Sequence, residues 1–338
     1  KTTLYRIGKT QIRTLCYDRY KCMCLLMKKQ KMIRPIPVSS PFARWMSRLA
    51  LVCCMLPFVP APVAAEELAE VVRLYYSQRY KQAAPLLMRA ARKGDAKAQA
   101  CLGLMYQEGL GVPQNYKKAK KWYEKAAMQN RADAQTFLGM LYSQGNGVEK
   151  DFATAKKWFE KAAEQDFAPA QTLVGLMYAK GVGTQRNMTQ AERWLNRAAD
   201  QGETDAQTFL GILYLDGTEL HQNLDRAIYR FRQAAEKGDA NAQAALGMMY
   251  FSGKGVKEDP KEAVKWLEKA AIAGNVDAQT FIGNLYYKGI GVARDNVKAG
   301  YWLQKAAIAG DADAQATLND LLGNGEADGT DTAGEKER

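Results

Sequence analysis

One spacing constrains this chain more than any other feature: 36 residues. Trp122, Trp158, Trp194, Trp266 and Trp302 stand on a ladder of that period, and Arg230 occupies the remaining rung. Gln99, Gln135, Gln171, Gln207, Gln243, Gln279 and Gln315 form a second ladder without a gap. A fixed period of this length means stacked supersecondary units, each burying its apolar face against its neighbours. The length of 338 residues then sets no domain count, because an array grows by adding units rather than by enlarging one core.

Six units follow the period: 96–131, 132–167, 168–203, 204–239, 240–275 and 276–311. Each reads as a helix (A), a glycine loop, a second helix (B) and a turn. In the second unit Ala134, Phe137, Leu138 and Leu141 recur at helical spacing and define the buried face of helix A. The loop Gly145-Asn146-Gly147-Val148 needs glycine for backbone angles that other residues resist, and Val148 is expected to plug the helix pair. Helix B is predicted to start near Asp151, an acidic residue suited to a helix N-terminus. It is expected to bury Ala155, Trp158, Phe159 and Ala162, so that truncating Trp158 would cost roughly 3–5 kcal/mol. Residues 66–95 read as an N-terminal capping repeat that lacks the glycine loop, and 312–322 as a C-terminal capping helix A. Residues 323–338 are polar and glycine-rich and are expected to be disordered.

The formal charge of +12 belongs to the region before the repeats. Residues 1–65 carry 12 Lys+Arg and the single acid Asp18, while 66–338 carry 36 basic and 35 acidic residues. A nearly neutral array gives no case for nucleic-acid binding. Cys16, Cys22, Cys24, Cys53 and Cys54 precede the repeats and only Cys101 lies within them, so no intrachain disulfide framework is available there. A basic stretch, the apolar run Leu49–Val59 and the small residues Val63 and Ala65 match a secretory signal with cleavage after Ala65. The basic stretch is long for a signal, and the native start is expected at Met27, Met32 or Met46. The rival reading keeps Leu49–Val59 as an uncleaved inner-membrane anchor, although the run is short for a bilayer.

The pattern A-x-A-Q-x-x-L-G-x-x-Y-x-x-G-x-G-V followed by A-x-x-W-x-x-K-A-A resembles the Sel-1-like repeat (SLR), of the tetratricopeptide-like superfamily. Ala132, Ala134, Gln135, Leu138, Gly139, Tyr142, Gly145, Gly147, Val148, Ala155, Trp158, Lys161, Ala162 and Ala163 carry it in one unit. The likeness covers 96–322 and, weakly, 68–95. It implies an all-α, right-handed α-solenoid and work as an adaptor or scaffold, often in bacterial envelopes. Some secreted relatives carry a disulfide in each repeat and have been linked to β-lactam binding; this chain lacks those cysteines. The fourth unit departs most, with Gly217-Thr218-Glu219-Leu220 for the loop and Arg230 for Trp.

A search for chemistry returns little. His221 is the only histidine and has no metal ligand beside it. The repeats contain no H-E-x-x-H, G-x-S-x-G or S-x-x-K motif, and their G-x-G loops follow helices, so they read as structural turns and not phosphate cradles. Cys101 takes the position of Phe137 and reads as a core filler. Helix A is more informative. Thr136, Met140 and Ser143 share one face, which in SLR solenoids lines the concave side. Its centre reads Leu104, Met140, Leu176, Ile212, Met248, Asn284, and its edge reads Gln107, Ser143, Ala179, Leu215, Phe251, Tyr287. The edge turns large and apolar toward the C-terminus, as a partner groove anchored by Leu215, Phe251 and Tyr287 would. Packing between repeats is the other explanation.

These features lead to an exported, non-enzymatic scaffold or adaptor, periplasmic or secreted from a bacterium. It would bind a protein partner through Met140, Ser143, Ile212, Leu215, Met248, Phe251, Asn284 and Tyr287. The expected protein is a monomer that uses no cofactor, no metal and no nucleic acid. It would touch a membrane only through an uncleaved leader. The alternatives are a cell-envelope enzyme, such as a β-lactam-binding or cell-wall hydrolase protein, and a permanent structural element of an envelope complex.

Overall fold

The computed structural model describes residues 70–327 except 72, 75, 76 and 218–221. The leader, Leu49–Val59, His221 and residues 328–338 lie outside the described residues. Those described form two compact units, one ending at Gln201 and one beginning at Gly202. The first, here the N unit, holds α1 (Tyr80–Arg92), α2 (Ala96–Glu108), α3 (Tyr116–Met128), α4 (Ala132–Gln144), α5 (Phe152–Ala163), α6 (Ala168–Lys180) and α7 (Met188–Asp200). The second, the C unit, holds α8 (Thr204–Asp216), α9 (Leu224–Glu236), α10 (Ala240–Ser252), α11 (Pro260–Ile272), α12 (Val276–Lys288), α13 (Asn296–Ile308) and α14 (Ala312–Ala327). No strand occurs among the described residues. The even-numbered helices are the A helices and the odd-numbered ones the B helices of an all-α solenoid.

The ends of these helices are fixed by single residues. Every B helix of the six units starts on an Asn or Asp: Asn115, Asp151, Asn187, Asn223, Asp259 and Asp295 each accept a hydrogen bond from a backbone N–H of the first turn. These caps satisfy donors that the helix itself cannot. The A helices of those units end on a glycine in the left-handed region, such as Gly145 at φ 76°, where a side chain would clash. The second loop glycine has a different task. A Cβ on Gly147 would lie 2.9 Å from the Tyr116 carbonyl carbon, and one on Gly111 would lie 2.4 Å from that of Tyr80. At Gly111, Gly147, Gly183, Gly255 and Gly291 the loop thus rests directly on the start of the preceding B helix.

Inside each repeat the two helices meet at another glycine. A Cβ on Gly139 would come within 2.7 Å of the Phe159 ring, and the same contact joins Gly103 to Tyr123 and Gly247 to Leu267. Phe159 is 1 % exposed and Tyr123 is fully buried. The tryptophans are not. Trp122, Trp158, Trp194 and Trp266 are half-buried, and only Trp302 falls to 9 %. The expectation that Trp158 is a buried core residue is therefore corrected. The residue after each Trp faces glycine, and the Trp sits at the edge of the buried stripe. Arg230, on the Trp rung of α9, is 9 % exposed, and its guanidinium donates to Gln233 Oε1 at 3.1 Å. Phe159→Ala is expected to cost roughly 3–5 kcal/mol, and Trp158→Ala distinctly less, in urea denaturation.

The glutamine ladder joins repeats. Gln99, Gln135 and Gln171 in the N unit donate from Nε2 to the carbonyls of Ala91, Ala127 and Ala163, at 3.1, 3.2 and 3.1 Å. Gln243 and Gln279 do the same to Ala235 and Ala271 at 3.0 Å. Each buried carboxamide adds a second donor to a carbonyl in the last turn of the preceding B helix, which already accepts a backbone N–H from the turn that follows. In the N unit a second glutamine completes the clasp. Gln129, Gln165 and Gln201 donate to the Oε1 atoms of Gln99, Gln135 and Gln171 at 2.7–2.8 Å. In the C unit the matching positions are Lys237, Ala273 and Ala309, and Gln243 Oε1, buried and facing the Ala273 position, has no hydrogen-bond partner among the described residues.

At the C-terminal end, α14 runs to Ala327, past the 312–322 cap and into the stretch expected to be disordered. A formed helix adds one hydrogen bond for each residue it recruits, which offsets the low propensity of Gly323. The clasp generates a prediction. The backbone at Ala273 (φ −72°, ψ −1°) matches that at Gln201 (φ −78°, ψ −2°). Ala273→Gln should therefore supply the missing donor and raise stability by about 1 kcal/mol, read as a higher urea midpoint at unchanged slope.

Candidate functional site

The face named by Thr136, Met140 and Ser143 is built on the A helices, which also touch one another: α4 meets α6, α8 meets α10, and α12 meets α14. This contact decides how much of the face remains open. In the N unit it is closed. Leu104, Met140 and Leu176 are between 4 and 6 % exposed, and Ser143 and Ala179 are buried. The Thr136 hydroxyl donates to the Ala132 carbonyl at 2.8 Å and the Ser143 hydroxyl to that of Met140 at 2.9 Å. Both polar groups are used up inside their own helix. In the C unit Leu215 and Met248 are buried as well, at 3 and 2 %.

Four of the eight expected partner residues, Met140, Ser143, Leu215 and Met248, thus serve packing between repeats. The expected continuous groove is corrected to a shorter surface on α8, α10 and α12. There Ile212, Phe251, Asn284 and Tyr287 remain part-exposed. Ile212, Phe251 and Tyr287 lean on the C-unit core, and the Phe251 ring meets the Phe281 ring edge-on at 5.0 Å. The Tyr287 hydroxyl donates to Asp320 at 2.9 Å, and the Arg294 guanidinium lies 5.7 Å from its ring centre. The result is a part-exposed apolar surface with one amide, Asn284.

Titratable groups give no catalytic constellation. No group of three metal-ligating side chains exists among the described residues. Burial pushes the Glu203 carboxyl up to about 7, helped by the Asp205 charge and opposed by Lys237. Burial and a hydrogen bond to Glu268 push the Tyr286 phenol up to about 12, which keeps it protonated and non-nucleophilic near neutrality. Glu108 is also raised by burial. These groups lie apart, Glu203 just before α8, Tyr286 on α12 and Glu108 on α2. Cys101 packs against the N-unit core, as its ladder position implies. No described helix is long and apolar enough to cross a membrane.

Two features escaped the sequence reading. Each ladder Trp carries the cation of the next turn on its ring: Lys125, Lys161, Arg197, Lys269 and Lys305 lie 4.4–5.3 Å from the ring centres. The W-x-x-K spacing was visible, and the i, i+3 geometry makes the contact. The second feature is charge. Residues 77–201 carry 20 Lys+Arg and 11 Asp+Glu, whereas 202–327 carry 13 and 17. A near-neutral sum hides a net of +9 in one unit and −4 in the other.

Comparison with known proteins agrees with this geometry. The family model described as Sel1 repeat matches residues 96–130, 132–167, 168–203, 204–239, 240–275 and 276–311. The structure is similar to the crystal structure of a Sel1 repeat protein from Oxalobacter formigenes, with 35 % identity and a TM-score of 0.65, over 73 % of this chain and 97 % of that one. It is also similar to c5321, a protective antigen of uropathogenic Escherichia coli strains with an SLR fold. There the identity is 29 % and the TM-score 0.64, over 95 % of this chain and 67 % of that one. No curated protein matches the sequence.

Glu203 yields a pH prediction. Its folded value of about 7 lies above the ordinary carboxylate value of 4.5, so the folded state holds the proton more tightly. That contribution is complete below the ordinary range and is lost as pH rises through about 7. Glu203→Gln should therefore raise Tm relative to the parent above neutral pH and leave it little changed near pH 4, in thermal melts across that range.

Proposed function

The chain belongs to the Sel1 repeat family, and on that premise we propose that it is an exported, non-enzymatic scaffold that holds a protein partner on the A-helix face of its C unit. Sel1 repeat proteins generally act as protein-interaction scaffolds. The observation that carries the reading here is the part-exposed set Ile212, Phe251, Asn284 and Tyr287, one after another on α8, α10 and α12. Apolar and aromatic side chains preset on rigid helices lose little entropy on binding, which is what an interaction surface requires. Export is supported by the basic stretch, the short apolar run and the small residues before Glu66. The periplasm or the exterior is the compartment that such a leader serves.

A photo-reactive residue at position 251, installed in the native cells, should capture one dominant protein, while the same residue at position 107 in the N unit should not. The double variant Ile212→Ser and Tyr287→Ser, with its melting profile retained, should lose that capture. Equal capture at both positions, or capture that survives the double variant, would remove the C-unit face as the binding surface.

A further inference from the structure

The strongest unassigned feature is the outer face of the B helices in the N unit. Lys121, Lys157 and Arg193 occupy one ladder position on α3, α5 and α7. All three are exposed, and none makes an ion pair within 4 Å. One turn further on, Lys125, Lys161 and Arg197 repeat the pattern above the tryptophans. In the C unit the position of Lys121 reads Tyr229, Lys265 and Tyr301, and that of Lys125 reads Gln233, Lys269 and Lys305. The run of six cations on α3, α5 and α7 is thus a property of the N unit, whose net charge is +9.

The band is interrupted by a concavity. Between α3 and α5 lies a cleft of about 480 Å3, with Met128 and Trp158 on its walls, Lys161 above Trp158, and Asn130, Gln135, Gln165 and one carboxylate, Glu164, completing the polar part of its lining. Met128 is 83 % exposed, the most exposed large apolar side chain of the N unit. At the next junction the corresponding Arg197 is tied to Asp166 by an ion pair. At the α3–α5 junction the residue in place of Asp166 is Asn130, which has no charge to engage Lys161.

We propose that the B-helix face of the N unit docks an acidic polypeptide segment that seats one apolar side chain in the α3–α5 cleft, between Met128 and Trp158. The cationic band attracts and aligns the carboxylates. The cleft supplies the buried apolar contact that separates recognition from loose attraction. A lipid surface fits less well. Glu124, Glu160 and Glu164 interleave with the cations, so a flat anionic plane meets both signs, whereas a flexible chain can set its carboxylates against the cations alone. A duplex phosphate backbone meets the same carboxylates. The site shares no residue with the C-unit surface, so it stands or fails independently of the scaffold reading.

The test is fluorescence anisotropy with the full chain and a labelled synthetic peptide of Asp and Glu with one central Phe. The peptide should bind, and replacing its Phe by Ser should weaken binding by at least about fivefold, as expected for one apolar side chain taken from water. The triple variant Lys121→Glu, Lys157→Glu, Arg193→Glu should weaken it by about tenfold or more, and added salt should mimic that loss. Met128→Ser, at an exposed position that leaves the melting profile intact, should reproduce the effect of removing the peptide Phe. No binding, equal binding of the two peptides, or binding indifferent to the triple variant would overturn the proposal. So would a preference for phosphatidylserine vesicles or duplex DNA over the peptide.

Discussion

Helix A and helix B of each repeat approach so closely that one of them must give up its side chain. That single contact governs the rest. From Gly103 to Gly283, a Cβ at the crossing point would lie 2.6–2.7 Å from the facing ring or leucine of helix B. The closeness drives the Phe, Tyr or Leu of helix B to full burial and leaves the preceding Trp at the rim. It also brings the loop down onto the previous B helix, where the second glycine is required. With the pair fixed, the glutamine of helix A reaches a carbonyl at the end of the previous helix as its second donor. Within each unit neighbouring repeats therefore share a buried glutamine hydrogen bond and a close loop contact, and stability passes between nearest neighbours.

Much of this was legible because each requirement falls on one residue per period. The caps at Asp151 and its equivalents, the left-handed glycines and the glutamine ladder all follow from the chemistry of a single position. The Trp ladder misled for a physical reason. Trp158 and Phe159 are adjacent, a step of about 100° around the helix, and only one of them can face Gly139. The sequence does not say which helix covers which face. The same limit explains the partner residues. The apolar drift from Ser143 to Tyr287 was visible, but periodicity identifies a face without saying what packs over it. Leu215 and Met248 look like their neighbours in sequence and are nevertheless covered. The cationic band was missed by summing charge over an array that is best read unit by unit.

The N unit presents cations on the outer face of its B helices, while the C unit leaves apolar side chains open on its A helices. These surfaces use opposite sides of the helix pair and unlike forces, one long-ranged and sensitive to salt, the other short-ranged. The core positions repeat, and the two surfaces arise where the repeats differ, as at Asn130 and Tyr287.

The terminal helix shows where repetition stops. In α14 the crossing-point glycine is replaced by Asn319, and Gln315, on the clasp ladder, turns instead to Asn319 within its own helix at 3.0 Å. A further B helix could not approach that surface without meeting the asparagine side chain. Duplication of a 36-residue segment ahead of Ala312 would keep every helix crossing in register, so the array can gain length from within without new packing chemistry.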